Sequence, residues 1–504
     1  MRFHVVPRDA SPSSEVERPC VFLHRDRWND YGFVTQFRAS YSASTDAEEQ
    51  KLGDVKIMHR GLRPDKTPVE VPDSFFALDE TYGSLGQTVE YYERVGALGA
   101  TAARTVLEGL RDLAVRPNRR AVFEQESAYE TSLLRDTGAV RSLKIAPTLF
   151  PDLAGIGPAP LSPDTDFSFR FFTRVEGAAA PHEIPFDFKP EPDLPHRLNV
   201  IVGRNGTGKT RVMANLAVVQ SGVPSDPETP LQDYGSMSPG RQPYAKVGAV
   251  SYSAFDAFAL PGGEDSDGDN VDSAADTERN GYFYVGIRAP DRRFRTFGEL
   301  QSMFGAAQDL ILEADRGAQW ASVLQPVLSD PAFSVKTVTE LTGAYDAFGS
   351  GQRAILSILT ELVARLDEQS LVLVDEPENH LHPPLVAAFL HGLRRALDLF
   401  DSYAVVATHS PVIVQETPAR YVHVFSRLGL YPHVRHPRIE TFGEDLGRIT
   451  EEVFELSLDD ASFLDTLRAW AGSGRSVESI EAELGYPMSY PARSFFLGLA
   501  RPHA

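Results

Sequence analysis

Residues 198–210 read LNVIVGRNGTGKT, a short apolar run that continues into a glycine-rich loop. The loop matches the pattern G-x-x-x-x-G-K-[ST] at each fixed position, and helical residues are expected from Thr210 to about Gln220. Glycines let successive backbone N–H groups converge on phosphate oxygens, and a helix N-terminus favours negative charge there. The sequence therefore predicts a strand, a phosphate-binding loop and a helix, in that order.

The residue types of this loop indicate how it would hold a nucleotide. The amino group of Lys209 is expected to neutralise the β- and γ-phosphates, and the hydroxyl of Thr210 is expected to bind Mg²⁺. ATP and Mg²⁺ are the predicted cofactors. The predicted nucleotide-binding residues of the loop are Gly203, Asn205, Gly206, Gly208, Lys209 and Thr210.

A second apolar run, LVLV at 371–374, ends in two acids, Asp375 and Glu376. This pattern favours a buried parallel strand that delivers carboxylates at its C-terminal edge. Asp375 is expected to bind Mg²⁺, directly or through water, and Glu376 to polarise the attacking water. Together with the phosphate-binding loop, the pair predicts hydrolysis of a nucleoside triphosphate.

Two further segments resemble elements of the ABC ATPases. FGSGQ at 348–352 opens a predicted helix over 353–366, and a predicted strand over 403–407 is followed by THSP at 408–411. In their order along the chain they are similar to the signature loop and the switch histidine of that family. The resemblance implies a homodimer in which the signature loop of one copy closes the ATP site of the other. It also implies that His409 contacts the γ-phosphate and takes part in catalysis.

The signature segment departs from the usual family wording, which is LSGGQ. Gly349 stands where the family has its phosphate-contacting serine, and Ser350 follows one position later. The resemblance implies that Ser350, Gly351 and Gln352 form the part of the site that the second copy supplies.

The wording DEPENHLHP at 375–383 resembles D-E-P-E-x-x-L-H-P of SMC-like and RecF-like ATPases, including antiphage proteins of the OLD and Septu PtuA type. SYSAFD at 251–256 and YFYVGIR at 282–288 are also similar to PtuA-like segments, although neither offers a Q-loop glutamine. The resemblance covers about residues 167–425. It implies an ATPase that dimerises around ATP and regulates a separate effector, expected to be a nuclease, in antiphage defence.

Two other functions remain open: a RecF-like DNA repair ATPase and the nucleotide-binding subunit of an ABC transporter. The D-E-P-E wording and the large N-terminal region disfavour the transporter. The interval between residues 210 and 348 is too short for the long coiled-coil arms of SMC-type proteins. Too few residues follow His409 for a fused Toprim nuclease, so any nuclease is expected to be a separate chain.

Charge limits the contacts that can be expected with nucleic acid. The 504 residues carry 49 Lys and Arg against 70 Asp and Glu, a net charge of −21. DNA or RNA contact would therefore need a local basic patch. The best clusters are DRRFR at 291–295 and Arg116 with Arg119 and Arg120, for which ion-paired or solvated faces are the default interpretation.

Other sites are disfavoured by composition. The single cysteine, Cys20, excludes an internal disulfide and a thiolate zinc site. His380 and His382 have no assignable third ligand for a metal. No apolar run is long enough to span a membrane. We expect a cytoplasmic protein.

The predicted fold class is α/β: an ABC-type P-loop ATPase with a mixed sheet and a helical subdomain, an α+β appendage before it and a helical region after it. Prolines and glycines between Pro147 and Pro163 disfavour a helix there and predict a domain boundary. The predicted domains are 1–160, 161–437 and 438–504, with an acidic loop over 262–280 in the second. In the first, a helical pattern is predicted over 84–114.

Overall fold

The computed structural model describes most of the chain. The described residues are 1–7, 16–45, 49–154, 166–191, 194–224, 226, 229–261, 278–279, 281–341, 343–379, 381–454 and 462–500. No helix in this described part is both long and apolar enough to cross a membrane. The predicted acidic loop lies outside it, apart from residues 278 and 279.

The N-terminal region is a six-stranded sheet covered by helices, with strand order β5-β1-β2-β3-β4-β6. The strands are β1 Arg2–Val6, β2 Cys20–Arg25, β3 Gln36–Ser42, β4 Gln50–His59, β5 Ser74–Phe75 and β6 Tyr82–Gly86. The helices are α1 Val89–Ala97, α2 Ala100–Gly109, α3 Pro117–Phe123, α4 Thr137–Leu149 and α5 Pro151–Ala154. One hydrophobic core joins this sheet to these helices.

One prediction for this region is confirmed in part, since α1 and α2 lie within the stretch 84–114, and one is wrong. The stretch 84–114 is not one helix, because Ser84 lies in β6 opposite Ile57 of β4 and Gly99, with φ +90°, separates α1 from α2. Helix also continues past Pro147. Pro147 lies two residues before the end of α4, where its missing N–H removes a single hydrogen bond. Pro151 is the first residue of α5, a position whose N–H has no partner within the helix in any case. Residues 155–165 lie outside the described part, so the domain boundary stays a prediction.

The remainder of the chain is built on an eight-stranded sheet with order β12-β13-β11-β14-β15-β9-β16-β17, in which the six inner strands are parallel. Strands β10, β7 and β8 form a separate small antiparallel sheet, in the order β10-β7-β8. The strands are β7 Phe169–Thr173, β8 His182–Phe186, β9 Leu198–Gly203, β10 Ser236–Ser238, β11 Val247–Ser251, β12 Glu278–Arg279, β13 Tyr282–Gly286, β14 Leu371–Asp375, β15 Tyr403–Thr408, β16 Val422–Leu428 and β17 Tyr431–Arg435.

Helices cover both faces of the large sheet. They are α6 Lys209–Ser221, α7 Leu231–Tyr234, α8 Phe297–Glu313, α9 Gly317–Leu328, α10 Val338–Leu341, α11 Ser350–Arg365, α12 Pro383–Leu399, α13 Pro411–Gln415 and α14 Leu446–Phe454. Alternate residues of β9 serve opposite faces: Val200 and Val202 pack with α8, α9, α11 and α12, while Ile201 packs with α6 and the small sheet. Strands buried on both faces explain the continuous apolar runs at 200–202 and 371–374.

The C-terminal helices are α15 Ser462–Gly472, α16 Val477–Leu484 and α17 Tyr490–Ala500, and they lie in the region predicted to be helical. These three share a small core that includes Leu467, Ile480 and Phe496. In contrast, Ile449 and Val453 of α14 belong to the core of the large sheet.

The C-terminal end of α6 is bound to the N-terminal region by hydrogen bonds. The Thr137 hydroxyl donates to the Gln220 carbonyl at 2.9 Å, and the Arg135 guanidinium donates to the Gly222 carbonyl at 3.3 Å. Arg241 donates to the carbonyls of Gln220 (2.8 Å), Arg135 (2.7 Å) and Leu134. The last turn of the helix that begins at Lys209 is thus held by residues far away in the sequence.

Candidate nucleotide-binding site

The glycine-rich loop lies between β9 and α6, as predicted, and its backbone requires glycine at two positions. A Cβ on Gly203 would lie 2.3 Å from the Phe425 carbonyl oxygen of β16. Gly208 adopts φ +100° directly before the first residue of α6, a region that other residues rarely adopt. The loop therefore folds tightly over the sheet edge and leads its N–H groups to the helix N-terminus.

Lys209 extends back over this loop and is only 5% exposed. Its amino group donates to the Gly203 carbonyl at 3.0 Å and lies 2.6 Å from Nε2 of His409. Oε1 of Glu376 is 3.9 Å away. Burial lowers the pKa of Lys209, and the charge of Glu376 acts in the opposite direction. The Lys209 amino group thus lies beside the place that β- and γ-phosphate oxygens take in a P-loop site.

Thr210 and Asp375 meet beside it, because β14 and β9 both flank β15 and end at the same sheet edge. The Thr210 hydroxyl donates to Oδ1 of Asp375 at 3.3 Å. Asp375 is 1% exposed, and burial raises its pKa to about 6. Its Oδ2 is buried and has no hydrogen-bond partner among the described residues. A hydroxyl and a carboxylate with one unpaired buried oxygen fit Mg²⁺, which takes few protein ligands and keeps several waters.

Glu376 and His409 face each other across the ends of β14 and β15. Nε2 of His409 lies 3.2 Å from Oε1 of Glu376, whose backbone has φ +51°. Burial raises the pKa of Glu376 to about 8, with a further contribution from Glu378. Burial lowers the pKa of His409 to about 4, and Lys209 adds to the effect. The imidazole is therefore neutral at pH 7, so its 3.2 Å contact with Glu376 is not an ion pair.

Two acidic residues of this site received no role from the sequence. Oε1 of Glu378 accepts hydrogen bonds from the Thr408 hydroxyl at 2.8 Å and from the His409 backbone N–H. Asp256 is buried and accepts from the Tyr284 hydroxyl at 2.8 Å and from Nε of Arg288 at 3.1 Å. The D-E-P-E wording and the SYSAFD segment contained both residues, but a motif does not specify which hydrogen bonds a carboxylate accepts.

The signature segment lies at the start of α11, in the helical layer. Gly349 and Ser350 are exposed, and the side chain of Gln352 accepts from the Gly349 N–H at 2.8 Å and donates to the Ala332 carbonyl at 2.7 Å. Phe348 packs against Phe333, with ring centroids 5.5 Å apart. These contacts are within the helical layer. The structure brings Lys209, Thr210, Asp375, Glu376 and His409 together, and it leaves the signature segment with other neighbours.

The remaining sequence candidates lie outside this group. His382 is exposed, and His380 is outside the described residues. No cluster of three or more His, Cys, Asp or Glu suited to a metal occurs in the part of the chain that is described. The arginine clusters form ion pairs: Arg116 with Glu108 (2.7 Å), Arg120 with Glu124 (3.1 Å), Arg293 with Asp291 (2.9 Å), and Arg119 with Glu80. These pairs agree with the default interpretation of solvated faces.

Protein ea59 of Escherichia phage lambda is 31% identical to this chain in an alignment of 508 residues. The alignment covers 94% of this chain and 91% of ea59. The chain belongs to the ea59 family. A family described as "AAA domain, putative AbiEii toxin, Type IV TA system" matches residues 239–415, the part with the signature segment, β14 and His409. The match, together with the P-loop and the parallel sheet, identifies a P-loop ATPase fold. The predicted fold class is confirmed, and the OLD or PtuA subtype stays a prediction.

Similar solved structures include two SMC heads. The SMC head bound to the C-winged helix domain of ScpA is 12% identical and covers 54% of this chain and 97% of its own, with a TM-score of 0.28. The SMC head domain from Thermotoga maritima is 10% identical and covers 54% of this chain and 99% of its own, also with a TM-score of 0.28. TM-scores of 0.28 show neither a dimer nor a partner for this chain.

Proposed function

We propose that the chain binds and hydrolyses ATP with Mg²⁺ in a composite site that a second copy of the chain completes. The convergence of Lys209, Asp375, Glu376 and His409 at one sheet edge carries this proposal. These groups supply a phosphate-neutralising cation, a magnesium ligand, a base for water and a polar ring. Three of these four side chains are joined by contacts between 2.6 and 3.9 Å.

Each side chain has a distinct role in this proposal. The backbone N–H groups of Gly203, Asn205, Gly206 and Gly208 cradle the phosphates. Lys209 moves its hydrogen bonds from the protein to the β- and γ-phosphates. Thr210 and Asp375 would hold Mg²⁺, which when bound neutralises charge on the phosphate oxygens. Glu376, in its ionised form, accepts a proton from the attacking water, and His409 orients the γ-phosphate.

The signature segment supplies the other half of the site in trans. Ser350 is exposed at the N-terminus of the 16-residue helix α11, where backbone N–H groups favour an anion. Its own chain uses Gln352 to bind Ala332 rather than the phosphate loop. We therefore assign Ser350, Gly351 and Gln352 to the γ-phosphate held by the other copy, which gives a head-to-tail homodimer.

The dimer would control a separate effector chain, expected to be a nuclease, in conflict between phage and host. The relation to a phage lambda protein and to a family described by a toxin name supports this setting. Antiphage defence in the cytoplasm is the specific form that the motif resemblance favours. Any contact with DNA or RNA would come through the effector, because four of the six arginines in the two clusters are ion-paired.

Complementation between two inactive variants tests the composite site. Lys209→Ala removes the cation of the phosphate loop, and Ser350→Arg blocks the signature segment. In a mixed dimer, the first copy supplies an intact signature segment and the second an intact phosphate loop. An equal mixture should therefore recover about a quarter of the wild-type ATPase rate, since about half of the dimers are mixed and each has one intact site. A mixture as inactive as its components would refute a site shared by two copies.

A further inference from the structure

Glu378 joins the two strand ends that carry the predicted catalytic groups. It follows β14 by three residues, while its hydrogen-bond donors, the Thr408 hydroxyl and the His409 N–H, lie at the end of β15. Backbone pairing of β14 with β15 stops at Asp375 and Ala407, and the Glu376 N–H still donates to the Ala407 carbonyl at 2.9 Å. Beyond that point, the Glu378 side chain continues the connection.

The contact with the His409 backbone determines where the imidazole lies. A fixed N–H of His409 fixes its Cα, and the ring then reaches Lys209 at 2.6 Å and Glu376 at 3.2 Å through the same Nε2. The Thr408 hydroxyl also accepts from the Ser410 N–H at 2.9 Å, so Glu378 holds a turn of three residues through one oxygen. Such a carboxylate controls geometry without touching the phosphates.

We propose that Glu378 is a positioning residue for hydrolysis, which holds the turn after β15 so that His409 stays within reach of Lys209 and Glu376. The inference rests on the proposed ATP hydrolysis at this site. Its role differs from that of Glu376, because Oε1 of Glu378 is occupied by the Thr408 hydroxyl and the His409 N–H, and its Oε2 is buried with no hydrogen-bond partner among the described residues. This role needs an acceptor oxygen on the side chain at position 378 rather than a negative charge.

This distinction sets the choice of variants. Glu378→Gln keeps an acceptor oxygen for Thr408 and His409 and removes the charge, whereas Glu378→Ala removes both. Glu378→Ala should lower kcat at least about tenfold, because small misplacements of reacting groups are costly, and leave the KM for ATP within about twofold. Glu378→Gln should recover most of that loss. Thr408→Val should add to Glu378→Ala only the loss of the bond from the Ser410 N–H, since the Thr408–Glu378 bond is already absent in that variant.

A second measurement follows the geometry without turnover. Ring-labelled histidine, with the His409 signal identified by its loss in His409→Gln, reports the pKa of His409 by NMR. In the wild type this pKa should lie well below 6.5, and in Glu378→Ala it should rise towards 6.5 as the ring leaves its buried place.

The outcomes separate the two proposals. A wild-type protein that turns over no ATP would overturn the proposed function, while the NMR titration still decides whether Glu378 positions His409. An unchanged kcat and an unchanged His409 titration in Glu378→Ala would overturn the positioning role. Equal losses in the Gln and Ala variants would also overturn it, because charge rather than the acceptor would then matter.

Discussion

Arg241 provides a quantitative test of how the N-terminal region is bound to α6. Arg241→Ala would remove the donor to three carbonyls, and Gln220 would keep the Thr137 hydroxyl. The carbonyls of Leu134 and Arg135 would lose their described donor in a buried setting. A buried group left unpaired costs about 1–3 kcal/mol, so the expected loss in free energy of unfolding is about 2–6 kcal/mol.

Urea unfolding followed by tryptophan fluorescence measures this loss. Trp28 is a local reporter, since the Arg135 guanidinium lies 5.5 Å from the centre of its ring. Arg170→Ala is the matched control, because Arg170 is an exposed arginine whose ion pair with Glu183, at 2.8 Å, should contribute no more than about 1 kcal/mol. If Arg241→Ala lost less than about 1 kcal/mol relative to this control, the bonds at the end of α6 would not hold the two parts together.

Three further changes test the site and the core. Lys209→Ala should abolish ATP binding in calorimetry by removing the phosphate-neutralising cation, and unchanged affinity would remove the P-loop assignment. Glu376→Gln should still bind ATP but not hydrolyse it, so sedimentation with ATP should show a stabilised dimer; a monomer under those conditions would count against composite sites. Burial lowers the pKa of His423 to about 3, so the unfolded state binds the extra proton and stability should fall as pH drops from about 6.5 towards 3. His423→Gln should reduce that dependence, and an identical pH profile would show that His423 does not cause it.

The site was predictable where its residues follow buried parallel strands. The residues at 200–202 before Gly203 and at 371–374 before Asp375 are all apolar, as a strand covered on both faces requires, and the polar residues at their ends meet at one sheet edge. The pattern of 84–114 was less informative, because apolar residues such as Leu85 suit either a strand or a helix face. Pairing of β6 with β4 decided between them, and pairing is not a local property of the sequence.

Glu378 shows why part of the site could not be predicted. Its partners are a hydroxyl and a backbone N–H some thirty positions away along the chain. Every residue except proline presents a backbone N–H, so no particular residue type at position 409 indicates the bond. The same holds for Arg241, whose partners are all carbonyls.

The bonds at the end of α6 have a mechanical consequence. Helix α6 is continuous over 13 residues, so Lys209 and Gln220 are held about 17 Å apart. If the N-terminal region rotates, it must either break the Thr137–Gln220 hydrogen bond or push helix α6 along its axis. Helix α6 begins at the glycine-rich loop. A force on the first 150 residues would therefore reach the phosphate-binding loop through this helix and not through the large sheet.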